Sequence, residues 1–299
     1  MARILVTGGA GFIGSHVVDA LIERGDEPVV IDDLSTGRAE NLAAAVDLQR
    51  VDIADGDAMI RAGVSLGRID GIVHCAAQAS VPASLADPER TMAVNVQGTA
   101  NVLDIAAARY CPVVMASTAG VYGDTSVRPT PESAPIDPLS PYAASKVEGE
   151  NLLRAHSADH GICRLANVYG PRQSGDGEAG VVAVFADRLR RGAEVTLYGH
   201  GTPTRDFVHV ADVARGLLAA LGAGGTWNIA TGREITVQRV FDLACEALGV
   251  SVQPVLAPLR DGEIRESALD PARAASDLGW RATIAVDEGI PATIRALTA

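Results

Sequence analysis

Three features of this 299-residue sequence predict an α/β fold: a doubly wound parallel sheet, helices on both faces, and a smaller α+β lobe. Short apolar runs alternate with amphipathic stretches. A glycine-rich turn, TGGAGFIG at residues 7–14, separates the first apolar run from the first amphipathic stretch. The next apolar run, PVVIDD, carries Asp32 near its end, about 20 residues further on, the spacing of a strand–turn–helix–strand unit whose turn approaches a phosphate.

Each element has its own reason. RILVTG is a β-rich run, GFIGSHVVDALIERG is amphipathic at helical spacing, and PVVIDD, DGIVHCAA, PVVMAST and GICRLANVYG follow as further strands. Their nearly unbroken apolar character fits strands covered on both faces, as in parallel sheets. Strands alternating with helices give a Rossmann-type domain over residues 1–165. From 166 to 299 the pattern is less regular. A Gly-rich loop, YGPRQSGDGEAG, precedes the helix VVAVFADRLRRG, short strands, and turn-rich segments near 222–233 and 257–263. We expect this half to be mainly a substrate lobe, with some segments returning to the first domain.

Composition narrows the function. A net charge of −12 argues against nucleic acid and against anionic membrane surfaces, which need a basic face. No apolar stretch approaches a membrane span, and the N-terminal apolar run is broken by glycines without a cleavage site. Cysteines at 75, 111, 163 and 245 lack CxxC spacing and fit reduced thiols, hence a cytoplasmic protein.

In the turn, Gly8, Gly11 and Gly14 allow a tight bend, close backbone approach to a pyrophosphate and helix–sheet packing. Asp32 is placed to accept hydrogen bonds from an adenosine ribose and would repel a 2′-phosphate, so NAD is favoured over NADP. The segment SPYAASKVEGE holds the chain's single lysine, Lys146, against 24 arginines. It follows Tyr142 by four residues, which puts both side chains on one helix face. A tyrosine is neutral near pH 7. Lowering its pKa by about three units takes roughly 4 kcal/mol of differential stabilisation, which a nearby ammonium and a nicotinamide cation are suited to supply. PVVMAST delivers Ser117 and Thr118 to the carboxyl end of a strand, where a hydroxyl can hold the substrate oxygen that Tyr142 deprotonates.

TGGAGFIGSH, STAGVYG, PYAASK, NVYGPRQ and TRDFVHVADVA, in this order and spacing, resemble an extended short-chain dehydrogenase/reductase over nearly the whole chain, and within it the UDP-galactose 4-epimerase group. The resemblance implies Tyr142 as base, Lys146 as its activator and cofactor anchor, and Thr118 as partner of the substrate hydroxyl. It implies NAD contacts at Gly8, Gly11, Phe12, Ile13, Gly14, Asp32, Asp33, Asp52, Ile53, Ala76, Asn95 and Ser117, besides Tyr142 and Lys146. For a UDP-sugar it points to Thr118, Asn167, Tyr198, Arg205, Arg260 and Glu263. Ser267 stands where some epimerases carry a tyrosine that excludes N-acetylated sugars. Ala119 and Gly120 replace the Asp-Glu of 4,6-dehydratases, which disfavours dehydration. The implied reaction is 4-epimerisation of a UDP-hexose, plain, N-acetylated or uronic, through a 4-keto sugar. A nucleotide-sugar decarboxylase, a 4-keto reductase and a non-catalytic dinucleotide sensor stay open.

Helices over about 88–110 and 141–159 offer the faces that in this family form a four-helix homodimer interface. His156 and His160 are read as four apart on one helix, a metal-like spacing, but no third ligand is near in sequence, so a polar helix face is favoured and no metal is expected. SGDGEAG lacks the alternating carboxylates of a calcium loop.

Overall fold

The computed structural model describes the whole chain except residues 158, 176–179, 261–263 and 299. Glu263 and most of SGDGEAG therefore lie outside the described residues.

The strands are β1 (Arg3–Thr7), β2 (Glu27–Asp32), β3 (Asp47–Arg50), β4 (Gly71–His74), β5 (Val113–Thr118), β6 (Gly161–Leu165), β7 (Asn167–Tyr169), β8 (Thr196–Tyr198), β9 (Thr204–Arg205), β10 (Phe207–His209), β11 (Gly225–Ile229), β12 (Ile235–Thr236) and β13 (Val255–Ala257). The helices are α1 (Phe12–Glu23), α2 (Gly56–Ser65), α3 (Val81–Ala86), α4 (Pro88–Met92), α5 (Gly98–Arg109), α6 (Pro141–His156), α7 (Val181–Arg190), α8 (Val210–Ala220), α9 (Val237–Leu248), α10 (Ala272–Leu278) and α11 (Val286–Thr298).

Among the described residues the central sheet has seven strands in the order β11-β6-β5-β4-β1-β2-β3, every pairing parallel. The fold is the expected Rossmann-like α/β sheet. Successive residues serve opposite faces. Ile4 and Val6 join one core with Val17, Val18 and Leu21 of α1 and Val213 and Leu217 of α8. Leu5 joins the other with Met59 of α2, Val102 of α5 and Leu153 of α6. Burying both faces at roughly 1.5–3 kcal/mol per large aliphatic side chain is why the strands read as unbroken apolar runs. Strand order reverses between β1 and β4, which opens a crevice beyond their carboxyl ends.

Chain from the second half completes this sheet: β11 pairs with β6, and α8 packs on α1. The remaining second-half elements enclose a third core built from α7, α9 and α11, with Phe185 and Phe241 edge to face at 5.7 Å. Three two-stranded ladders, β7–β10, β9–β12 and β8–β13, lie beside it.

Two expectations are corrected. The second predicted helix ends at His156 rather than 159, because Ser157 is fully extended and turns the chain toward β6. His160 therefore lies off the helix. The two imidazoles still meet, stacked at 5.0 Å with Nδ1 of His156 2.8 Å from Nε2 of His160. Because the Val113 amide donates to Nδ1 of His160, Nε2 of His160 carries the proton given to His156. The pair is a mutual hydrogen bond, and no group of three or more metal-ligating side chains occurs among the described residues.

Candidate active site

The carboxyl ends of β1, β2, β4 and β5 bring Gly8, Asp32, Ala76 and Thr118 to one edge of the sheet. Gly8 has φ +68°, and a Cβ there would stand 2.6 Å from the amide nitrogen of Ala76. A Cβ on Gly14 would stand about 2.1 Å from the carbonyl of Gly8. Only glycine fits either position. The N-cap of α1 is Gly11, which offers no side-chain cap, so first-turn amides keep their capacity for an anion. Phe12 and Ile13 open the helix half-buried. This cradle fits a dinucleotide pyrophosphate.

Asp32 is buried, with Oδ2 accepting from the Ala10 amide at 2.9 Å and Oδ1 from the Leu34 amide at 2.9 Å. Burial raises its pKa against these bonds. The carboxylate keeps acceptor capacity for a ribose hydroxyl. Asp33 instead accepts from Ser35, while Asp52 pairs with Arg90 at 2.7 Å and accepts from the Ala54 amide. Ile53 is buried under Gly98, its carbonyl taken by Asn101.

Asn95 lies in a π-helical turn, Ala93–Gln97, between α4 and α5. Its side chain accepts from the Gln78 amide at 2.8 Å and donates to the Gln78 carbonyl and the Ser145 hydroxyl. The Ser145 hydroxyl donates in turn to the Tyr142 carbonyl at 2.7 Å. Behind Asn95, Thr99 donates to the Asn95 carbonyl, so its oxygen accepts from Nε2–H of His74, and Nδ1 of His74 accepts from Thr7. One chain of bonds thus runs from the glycine turn to the helix carrying Tyr142. His74 is fully enclosed, and burial, then the Lys146 charge, push its pKa down to about 3.

Helix α6 starts behind Ser140, whose hydroxyl accepts from the Ala143 amide, with Pro141 in its first turn. Tyr142 and Lys146 follow on one face. The Thr118 hydroxyl accepts from the Gly120 amide at 3.1 Å and acts to lower the pKa of the phenol. Ser117 behaves differently: its hydroxyl points inward and donates to Glu150 at 2.6 Å. Lys146 is 3% exposed. Burial lowers its pKa to about 8, while Cys75 and Glu150 pull it up. The ammonium was expected to draw the tyrosine pKa down. In the protein alone burial dominates and raises it, with Thr118 acting the other way, so the phenol is held neutral. A cation placed beside the phenol has to supply the remaining stabilisation of phenolate.

On the second lobe, Asn167 is exposed at the start of β7. Parallel pairing of β13 with β8 sets Ala257 against Tyr198, and the guanidinium carbon of Arg260 then sits 3.7 Å from the Tyr198 ring centroid. Arg205, in β9, donates to the Thr204 and Arg265 carbonyls. Ser267 is half-buried near the β9 side, two residues from Arg265, whose carbonyl accepts from the Thr204 amide.

Sequence reasoning missed His74, Ser145, Glu150 and Arg164. The signals were a histidine inside GIVH, a carboxylate four residues after Lys146, and a guanidinium inside the buried strand GICRL. All four cysteines are free.

The sequence matches the NAD dependent epimerase/dehydratase family over residues 4–230. It is 41% identical to a UDP-glucose 4-epimerase of Mycolicibacterium smegmatis, covering 98% of this chain and 97% of that one. The fold is similar to crystal structures of UDP-glucose 4-epimerases from Thermotoga maritima, with UDP-glucose, and from Thermus thermophilus, with NAD. For the first the TM-score is 0.93 at 42% identity, covering 98% of each chain. For the second it is 0.90 at 40% identity, covering 99% of this chain and 98% of the other.

Proposed function

The chain belongs to the NAD-dependent epimerase/dehydratase family, and from that premise we propose that it catalyses 4-epimerisation of a UDP-hexose through a transient 4-keto sugar. The observation that carries this reading is Thr118, at the end of β5, together with Tyr142 and a buried Lys146 on one face of α6, on the same sheet edge as the glycine cradle. Ala119 and Gly120, lacking carboxylates, supply no acid for water elimination.

NAD, held by the Gly8–Gly14 turn and Asp32, supplies the hydride acceptor and donor. Tyr142 takes the proton of the sugar 4-hydroxyl and later returns it to the same oxygen, once the 4-keto sugar has turned over and C4 has been reduced on its other face. Thr118 orients that hydroxyl, and the Lys146 ammonium favours phenolate once a second cation is near. Asn167, Arg205 and Arg260 bind the nucleotide diphosphate, with Tyr198 beside the base; guanidinium forks suit a diphosphate inside an otherwise acidic protein. A half-buried serine at 267 leaves room for an acetamido group.

The test is proton NMR of purified protein incubated with UDP-galactose, UDP-N-acetylgalactosamine and UDP-galacturonate. Growth of a gluco anomeric signal is expected in at least one tube without added reductant. No change in any tube, even with NAD supplied, overturns the reading.

We also propose a homodimer in which the α4–α5 and α6 helices pair with their copies. Met92 is 40% and Leu85 64% exposed on and beside these helices, apolar surface that such pairing would cover. Light scattering at twice the mass of 30.9 kDa is expected.

A further inference from the structure

A buried ionic cluster lies one helical turn behind the Tyr142–Lys146 pair. Glu150 is 1% exposed and follows Lys146 by four residues, on the same face of α6. Four donors meet its carboxylate. Oε1 accepts from the Ser117 hydroxyl at 2.6 Å and from Nε of Arg164 at 3.0 Å. Oε2 accepts from Nη2 of Arg164 at 2.7 Å and Nη2 of Arg154 at 2.6 Å. Arg164 is itself 3% exposed and reaches the Tyr122 hydroxyl at 2.9 Å, which donates to Asn228 of β11.

A buried ion pair is weak evidence for stability, because desolvation opposes its attraction, so a role beyond stability has to come from what the cluster touches. It touches both parts of the catalytic set. Ser117 directly precedes Thr118, and Glu150 directly follows the turn that carries Lys146. We propose that Glu150 is a positioning residue: held by Arg164 and Arg154, it ties the Lys146 turn of α6 to the strand end that presents Thr118, and it faces the buried ammonium with a counter-charge.

The groups around Lys146 leave Glu150 as that counter-charge. At the end of β4, His74 is neutral, and the thiol of Cys75, the next residue, is pushed up to about 12 by burial, so it too is neutral where the ammonium titrates. From α6 itself, Tyr142 is a neutral phenol. From β5, Ser117 and Thr118 carry no charge. Glu150 stays ionised because its bonds to Arg164, Ser117 and Arg154 outweigh the cost of burial.

This inference rests on the proposed roles of Tyr142 and Lys146, but its first readout does not. Lys146 is the only lysine, so protein grown with 13Cε-lysine gives one side-chain NMR signal, whose pH titration reports this group alone. A wild-type midpoint at about 8 is expected. In Glu150→Gln the midpoint falls by about one pH unit, since the facing anion is gone and two guanidinium groups remain. Turnover at pH 7.5 falls about 10-fold while KM changes less than about twofold, because the groups proposed to bind the nucleotide lie on the other lobe. If Glu150→Gln does not fold, Glu150→Asp keeps the partner of Arg164 and withdraws the charge by one methylene, and the midpoint falls by about half as much. A midpoint that stays in place in a folded variant overturns the proposal, as does unchanged turnover in a variant whose midpoint has moved. If no tube interconverts a sugar, the epimerase reading fails and the titration still decides this one.

Discussion

The two sides of the candidate site are built differently. Around α6 and β5 the functional groups are buried and multiply bonded: Lys146, Glu150, Arg164, Asn95 and His74 are all under 4% exposed, and each of the last four makes two or more side-chain hydrogen bonds. On the second lobe, Asn167 and Arg260 are exposed, and Tyr198 and Arg205 sit on ladders of two or three residues. The difference fits the two tasks proposed for these groups. Groups that move a proton need a dry, fixed setting in which charge is worth several times what it is in water. Groups that grip a large anion have to admit it from solvent.

Substitutions that break this contrast should do so unequally. Tyr142→Phe removes one oxygen from the buried side and is expected to cut turnover by about 10³-fold or more, with the melting temperature nearly unchanged; an active, well-folded variant would end the role assigned to the phenol. Arg164→Met leaves Glu150 buried with less compensation, and urea titration should show a loss of about 3–5 kcal/mol. A loss below about 1 kcal/mol would place the cluster on a par with an exposed ion pair.

His74 sharpens the comparison through pH. Its folded pKa, about 3, lies below the ordinary 6.5, so between these values the unfolded chain holds a proton that the folded chain refuses. Stability therefore drains as pH falls through that window and is unaffected above it. One such group accounts for about 2 kcal/mol between pH 7 and pH 5, and His74→Gln should abolish that share of the pH dependence measured by denaturant titration. Smallest in free energy, Arg260→Ala on the exposed side should raise KM for the nucleotide sugar about 10-fold, about 1.4 kcal/mol, without moving the melting temperature. A fall in turnover at saturating substrate would instead tie Arg260 to the chemistry.

Much of this was legible in one dimension. The glycine triplet, Asp32, and the Tyr142–Lys146 spacing are local patterns, set by tight-turn sterics and by the 3.6-residue period of a helix, and they can be read without knowing what lies across the fold. Even Thr118 is reached by counting from a strand end. Ser117 shows the limit: its neighbour faces the phenol while it faces Glu150, a consequence of period-2 alternation that only a placed helix resolves.

The sequence by itself determined the alternation of strands and helices, the turn and the chemical groups, because each depends on residues within one or two turns of one another. Tertiary structure decided the partners and the protonation. Glu150 meets Arg164 across 14 positions, and His74 meets Thr7 across 67. The upward pull on the Tyr142 pKa and the downward pull on Lys146 come from burial, and burial is a property of what the rest of the chain packs around a group, which no local pattern contains.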